Sequence, residues 1–138
     1  MKPHRRAICV FLLLSSSLVL PACTDFERNA YRTLKVAKVE YELLQENAAR
    51  AFLDGRLSQP QWDRFAVAGN RFITAHTLAA DLMKTYQQAH QAGASADDRR
   101  LLEARINAVL AQLPVLLADL RSLLVSFDRK GTALAVPK

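Results

Sequence analysis

The sequence predicts an all-α fold, an antiparallel up-down-up three-helix bundle, and three observations support this prediction. Three long segments place apolar residues at every third or fourth position, which keeps one face of a helix apolar. Gly55 and Gly93 close the first two segments, and glycine adopts the left-handed, helix-ending conformation at low cost. The linkers that follow are only about four residues long, so consecutive helices have to run antiparallel.

The first predicted helix begins at Thr24, because Thr24 and Glu27 have the spacing of a capping box. We expect it to end at Gly55. Its apolar positions step by three or four along the whole segment, which defines one continuous face. That predicted core face consists of Ala30, Leu34, Ala37, Tyr41, Leu44, Ala48 and Phe52.

The second predicted helix begins at Ser58, where Ser58 and Gln61 have the spacing of a second capping box. Pro60 lies in the first turn, where its missing N–H costs no hydrogen bond. We expect this helix to end at Gly93. Its predicted core face consists of Trp62, Phe65, Gly69, Phe72, His76, Ala79, Met83 and Tyr86.

The third predicted helix begins at Ser95 and contains Pro114, which removes a backbone donor and collides with the carbonyl of Leu110. The apolar repeat keeps its phase across Pro114, and no polar or glycine turn surrounds it. We therefore expect one kinked helix; the alternative is four helices with a break at Pro114. The predicted core face consists of Leu102, Ile106, Val109, Leu113, Leu116, Leu120, Leu123 and Phe127.

The first 23 residues carry a different pattern. Three basic residues precede a short apolar run, residues 7–20, which ends at Leu20-Pro21-Ala22-Cys23. A positive start, a short apolar stretch and a small residue before the cleavage point are the anatomy of a signal peptide. Two alternatives are an uncleaved membrane helix over 7–20, which is short against the ~20 residues of a span, and an ordinary secretory signal cleaved after Ala22.

The segment resembles the signal of bacterial lipoproteins, in which an aliphatic, a variable and a small residue precede an invariant Cys. Leu20, Ala22 and Cys23 match this box. The resemblance implies cleavage before Cys23, a diacylglyceryl group on its thiol and an acyl chain such as palmitate on its new amine. Two or more acyl chains give stable residence on a membrane. Thr24 stands where enteric lipoproteins kept in the inner membrane have Asp, which implies the outer membrane, facing the periplasm.

The predicted organisation follows from these patterns. Residues 1–22 are the signal peptide, residues 23–130 the lipid-anchored bundle and residues 131–138 a flexible tail. Three of the 19 basic residues precede Cys23, so 16 remain against 13 acidic residues and the net charge of the rest is +3. A basic run interleaved with aromatic residues, as in nucleic-acid-binding proteins, is not present, so we expect no nucleic acid among the partners.

Three apolar residues do not fit the predicted core. Val36, Val39 and Leu43 lie on the face of the first helix opposite Leu34 and Tyr41. A three-helix bundle has no interior on that side, so these residues are either scattered surface residues, which are common, or a surface for a protein partner or self-association. Leu78 and Leu82 show the same placement on the second helix.

His76 is the one candidate ligand for a metal or small molecule, because it lies in the middle of an apolar face. The sequence from Cys23 onward has no Glu-x-x-His or His-x-x-x-His motif that would add a second ligand. We therefore expect a core histidine with one hydrogen bond. No metal, cofactor or catalytic residue is predicted.

The sequence as a whole favours a non-enzymatic, lipid-anchored envelope protein that recruits another envelope protein through a helix face. The alternative is a helical bundle that binds a small ligand or metal near His76.

Overall fold

The computed structural model describes residues 22–134, with side chains from Asp25 to Phe127. The described chain forms four helices and no strand: α1 (Ala22–Leu53), α2 (Gln59–Gln91), α3 (Ala96–Leu110) and α4 (Gln112–Leu134). A single residue, Ala111, separates α3 from α4. The all-α helical bundle predicted from the sequence is confirmed.

Contacts between the helices establish the up-down-up order. Phe26 near the start of α1 meets Tyr86 near the end of α2, with ring centroids 5.2 Å apart. Phe52 at the end of α1 stacks on Trp62 at the start of α2, also at 5.2 Å. These two helices are therefore antiparallel. The third rod, formed by α3 and α4 in succession, runs parallel to α1. Ala37 of α1 lies beside Leu117 of α4, and Ala51 further along α1 lies beside Leu124 further along α4.

Tight turns join the rods. Gly55 has φ 70° and Gly93 has φ 72°, the left-handed conformation expected of them. At the first turn the N–H of Arg56 donates to the carbonyl of Ala51 at 2.9 Å, and the N–H of Gly55 donates to Phe52 at 3.0 Å. This pair of bonds is a Schellman motif, which satisfies the last carbonyls of α1.

The starts of α2 and α3 also follow the sequence. The N–H of Ser58 donates to Gln61 Oε1 at 2.8 Å, which is one half of the predicted capping box. The hydroxyl of Ser95 accepts from the N–H of Asp98 at 3.1 Å, so Ser95 is the N-cap of α3. Each cap satisfies donors that a helix start leaves open.

The core lies where the three predicted faces meet. Its largest fully buried side chains are Tyr86, Phe65, Phe72, Met83, Ile106, Leu113 and Leu120. Tyr41 stacks on Phe72 with centroids 4.7 Å apart, and Gly69 leaves room for the Tyr41 ring. Burial raises the pKa of the Tyr41 phenol. Apart from the tyrosines, no side chain with a polar or charged group is buried in the described part of the chain, so apolar packing holds the rods together.

Pro114 interrupts the third rod without ending it. The φ and ψ of Ala111 are −65° and −20°, which are right-handed helical values, and its N–H still donates to Asn107 at 2.9 Å. Pro114 has no N–H for the carbonyl of Leu110. Leu110, Leu113 and Leu117 are buried on both sides of the interruption, so the rod remains one packing unit.

Two predicted boundaries need correction. The first helix begins at Ala22 rather than at Thr24, because Ala22 and Cys23 already belong to the helix and Thr24 therefore does not act as its cap. The tail predicted from Gly131 is helical as far as Leu134. Gly131 weakens a helix by about 1 kcal/mol but does not stop it. The rest of the tail, 135–138, and the predicted signal up to residue 21 lie outside the described residues.

Candidate functional site

The strongest candidate surface is the outer strip of α1, formed by Val36, Val39 and Leu43. Their exposed fractions are 58%, 49% and 56%. They recur at i, i+3 and i+7, so they share one side of the helix over about two turns. The packing that buries Leu34 and Tyr41 leaves this strip uncovered. The structure thus brings together the three residues that the sequence singled out.

A groove borders the strip where α1 meets the interruption in the third rod. It has a volume of about 300 Å³ and mostly apolar walls, with Val36 and Ala37 on one side and Pro114 and Leu117 on the other. Because Pro114 presents only its ring and no N–H, this part of the rod offers an apolar wall to a bound side chain. The strip and the groove form one continuous apolar surface through Val36.

A second groove lies further along the same seam between α1 and α4. Ala51, Leu57, Leu124 and Val125 line it, together with Asn47 and Arg56. Between the two grooves Arg121 reaches across to Glu40, whose side chain is 28% exposed. This ion pair crosses the seam and divides the grooves.

Charged residues surround the outer strip of α1. Arg32 and Lys35 precede it, and both are exposed. Glu46 and Arg50 follow it and pair with each other one helical turn apart. A polar rim around an apolar centre is the usual arrangement of a protein-recognition patch.

The two leucines of α2 differ from each other. Leu78 is half exposed, whereas Leu82 packs against the core and is only partly exposed. Leu82 is therefore part of the bundle, and the parallel with the α1 strip holds for Leu78 alone.

His76 sits between α1 and α2 and makes the single hydrogen bond expected of a core histidine. Its Nε2 lies 3.2 Å from the carbonyl oxygen of Leu34. Its ring is tilted against the ring of Phe72, with the two centroids 5.8 Å apart. Among the residues that the structure describes, no three His, Cys, Asp or Glu side chains come together in a way that could hold a metal ion.

One apolar surface was not predicted from the sequence, the outer face of α3 and α4. Eight exposed residues repeat along it in steps of three and four, and none is charged: Leu101, Ala104, Ala108, Ala111, Val115, Ala118, Ser122 and Val125. The signal for this face was present in the sequence as a second repeat beside the core repeat. It was overlooked because five of its eight members are small.

Cys23 belongs to the first turn of α1, so the predicted lipid attachment point and the outer strip are on the same helix. The segment Ala96–Phe127 is the one described stretch long and apolar enough to cross a membrane. Only 22% of its most apolar window is buried inside the bundle, although Ile106, Leu113 and Leu120 of this segment are fully buried. No protein-family model, curated protein or solved structure matches this chain.

Proposed function

We propose that this chain is a non-enzymatic lipoprotein of the bacterial cell envelope, a helical bundle that recruits another envelope protein through the outer strip of α1. The observation that carries the proposal is the exposure of Val36, Val39 and Leu43 outside a core that is already closed by three rods. Burying such side chains against a partner releases about 25 cal/mol per Å² of apolar surface.

The position of the strip relative to the predicted anchor supports this function. Val36 follows Cys23 by 13 residues on one helix, so it stands roughly 20 Å from the attachment point at 1.5 Å per residue. An outer-membrane anchor at Cys23 would hold the strip within reach of a protein at the periplasmic surface. Tethering also raises the local concentration of the module, which favours a modest interface.

The anchor is tested by Cys23→Ser in cells that produce the full chain. We expect the variant to leave the membrane fraction or to remain unprocessed, because a serine hydroxyl cannot take the lipid of a cysteine thiol. Electrophoretic mobility and detergent partitioning measure both effects. Unchanged size and unchanged partitioning would contradict the lipoprotein assignment.

The binding surface is tested by Val39→Asp in a crosslinking pull-down from intact envelopes. We expect a carboxylate in the middle of the strip to abolish capture of a discrete partner, since a charge buried unpaired in an interface is costly. Val67→Asp is the matched control, because Val67 is 56% exposed on α2 and lies outside the strip. Equal capture by the wild type and both variants would remove the strip from the proposal.

A further inference from the structure

The outer face of α3 and α4 is a second apolar surface that the proposed partner site does not use. Its three large residues, Leu101, Val115 and Val125, are 58%, 60% and 53% exposed and lie at both ends and in the middle of the face. From Leu101 to Val125 the face is roughly 36 Å long at 1.5 Å per residue. Sustained steps of three and four are typical of a helix that packs against one other helix.

The inner side of the same rod is already occupied. Ile106, Leu113 and Leu120 are fully buried against α1 and α2. The outer face therefore belongs to a helix that the bundle holds in place, and an added partner has to pack on it from outside.

We propose that the occupant of this face is the same face of a second copy of this chain, packed antiparallel about a two-fold axis that crosses the face between Ala111 and Val115. In this arrangement Leu101 packs against Val125 of the second copy, and Ala111 packs against Val115 of the second copy. All eight residues of the face then meet an uncharged residue. The alanines between the large residues allow the two helix axes to approach to about 8 Å.

Charge complementarity selects the second copy and its direction. Arg105, Gln112 and Asp119 lie seven residues apart along one edge of the face and are exposed. Antiparallel packing places Arg105 of each copy opposite Asp119 of the other, so the pair occurs twice in the dimer. The two Gln112 residues face each other at the two-fold axis. Opposite charges in these flanking positions set partner choice and orientation in paired helices.

The charges of the pair are available for this contact. Within the described residues neither Arg105 nor Asp119 forms a salt bridge. Arg121, on the opposite edge, is engaged by Glu40 of its own chain. Parallel packing would instead set Arg100 against Arg105 of the second copy, which is repulsive. The two-fold dimer, in which one patch complements itself, is also the commonest type of symmetric assembly.

Disulfide trapping in intact cells that produce the full chain tests this dimer. Gln112→Cys places a thiol on the two-fold axis, so mild oxidation should yield a disulfide-linked dimer on a non-reducing gel. Gln88 is also exposed, on the outer side of α2, so Gln88→Cys should yield none. The parent chain measures any contribution from its own cysteines.

Charge reversal in the Gln112→Cys chain tests the direction. Arg105→Asp alone sets two like-charge pairs in the dimer, and we expect it to lower the trapped fraction roughly fivefold or more. Adding Asp119→Arg should restore the trapped fraction to near its starting value. Asp81→Arg, a reversal on α2, should leave it unchanged.

Several results would overturn the dimer. One is the absence of a trapped dimer from Gln112→Cys at normal protein abundance, as expected if lipid or another protein covers the face. Another is a trapped fraction that Arg105→Asp leaves unchanged. A third is a trapped fraction that stays low after Asp119→Arg is added to Arg105→Asp. Capture of a partner through Val39 tests the proposed function separately, because that strip lies on α1.

Discussion

The outer faces of α2 and of the α3–α4 rod have the same periodicity and the same exposure but opposite chemistry. On α2 the exposed repeat is polar: Asn70, Thr74, Thr77, Asp81, Lys84 and Gln88. On α3–α4 the repeat from Leu101 to Val125 is uncharged and mostly apolar. Val67, Ile73 and Leu78 are exposed on α2 as well, but they are scattered over a mostly polar surface and do not form a continuous apolar face, as is usual for a helix that faces water. The bundle therefore does not require an apolar outer face, and the one on α3–α4 calls for an explanation beyond folding.

The largest effect should come from the inner side of α4. Leu120→Ala removes a fully buried side chain and leaves a cavity, so we expect a loss of about 2–5 kcal/mol in the free energy of unfolding. Chemical denaturation followed by circular dichroism measures it. A loss below about 1 kcal/mol would mean that the two sides of this rod are not inner and outer.

A smaller effect should come from the inner side of α2. A side chain added at Gly69 would place its Cβ 2.9 Å from the hydroxyl of Tyr41, whose ring is stacked on Phe72. We expect Gly69→Val to cost about 1–3 kcal/mol by overpacking, less a few tenths gained in helix propensity. Thermal unfolding gives the value. A stabilised variant would show that α1 and α2 separate easily.

Substitutions on the two outer faces should change folding stability only slightly. Val115→Asp and Thr77→Asp place the same carboxylate on the two faces being compared, and each should cost less than about 1 kcal/mol of folding stability. If Val115→Asp alone caused a large drop in melting temperature in a monomeric sample, Val115 would be part of the core. The comparison between the faces would then fail.

The smallest effect should come from the ion pair that crosses the α1–α4 seam. Arg121→Ala removes the partner of Glu40, but the Arg121 side chain is 58% exposed and solvent screens the pair. We expect a change of about 0.5 kcal/mol or less in the free energy of unfolding. A much larger loss would show that the seam depends on this contact rather than on the leucines beneath it.

Much of the fold was readable from the sequence because its signals are local. Gly55 and Gly93 mark the two turns, Ser58 and Ser95 mark two helix starts, and the spacing of apolar residues identifies the core. The sequence did not decide whether Pro114 kinks or breaks its helix. A proline removes one hydrogen bond, but tertiary packing decides whether the helix continues. The start of α1 was predicted two residues too late and the end of α4 four residues too early, since the terminal residues of a helix carry little of the packing energy.

The candidate surfaces were only partly readable. Val36, Val39 and Leu43 stand out in the sequence because large apolar residues are unexpected opposite a core face. The outer face of α3–α4 was missed because alanine and serine suit both a surface and an interface. Its interpretation depends on Arg105 and Asp119, whose relationship becomes visible only when two copies of the rod are placed antiparallel.

The most direct test of the central claim is site-specific photocrosslinking in intact cells. A photoreactive residue at position 39 probes the outer strip of α1, and the same residue at position 67 probes the equally exposed α2 surface. We predict one discrete adduct with another envelope protein from position 39 and none from position 67. The same adducts from both positions, or no adduct from position 39 with the protein on the membrane, would contradict an interaction module that binds through this strip.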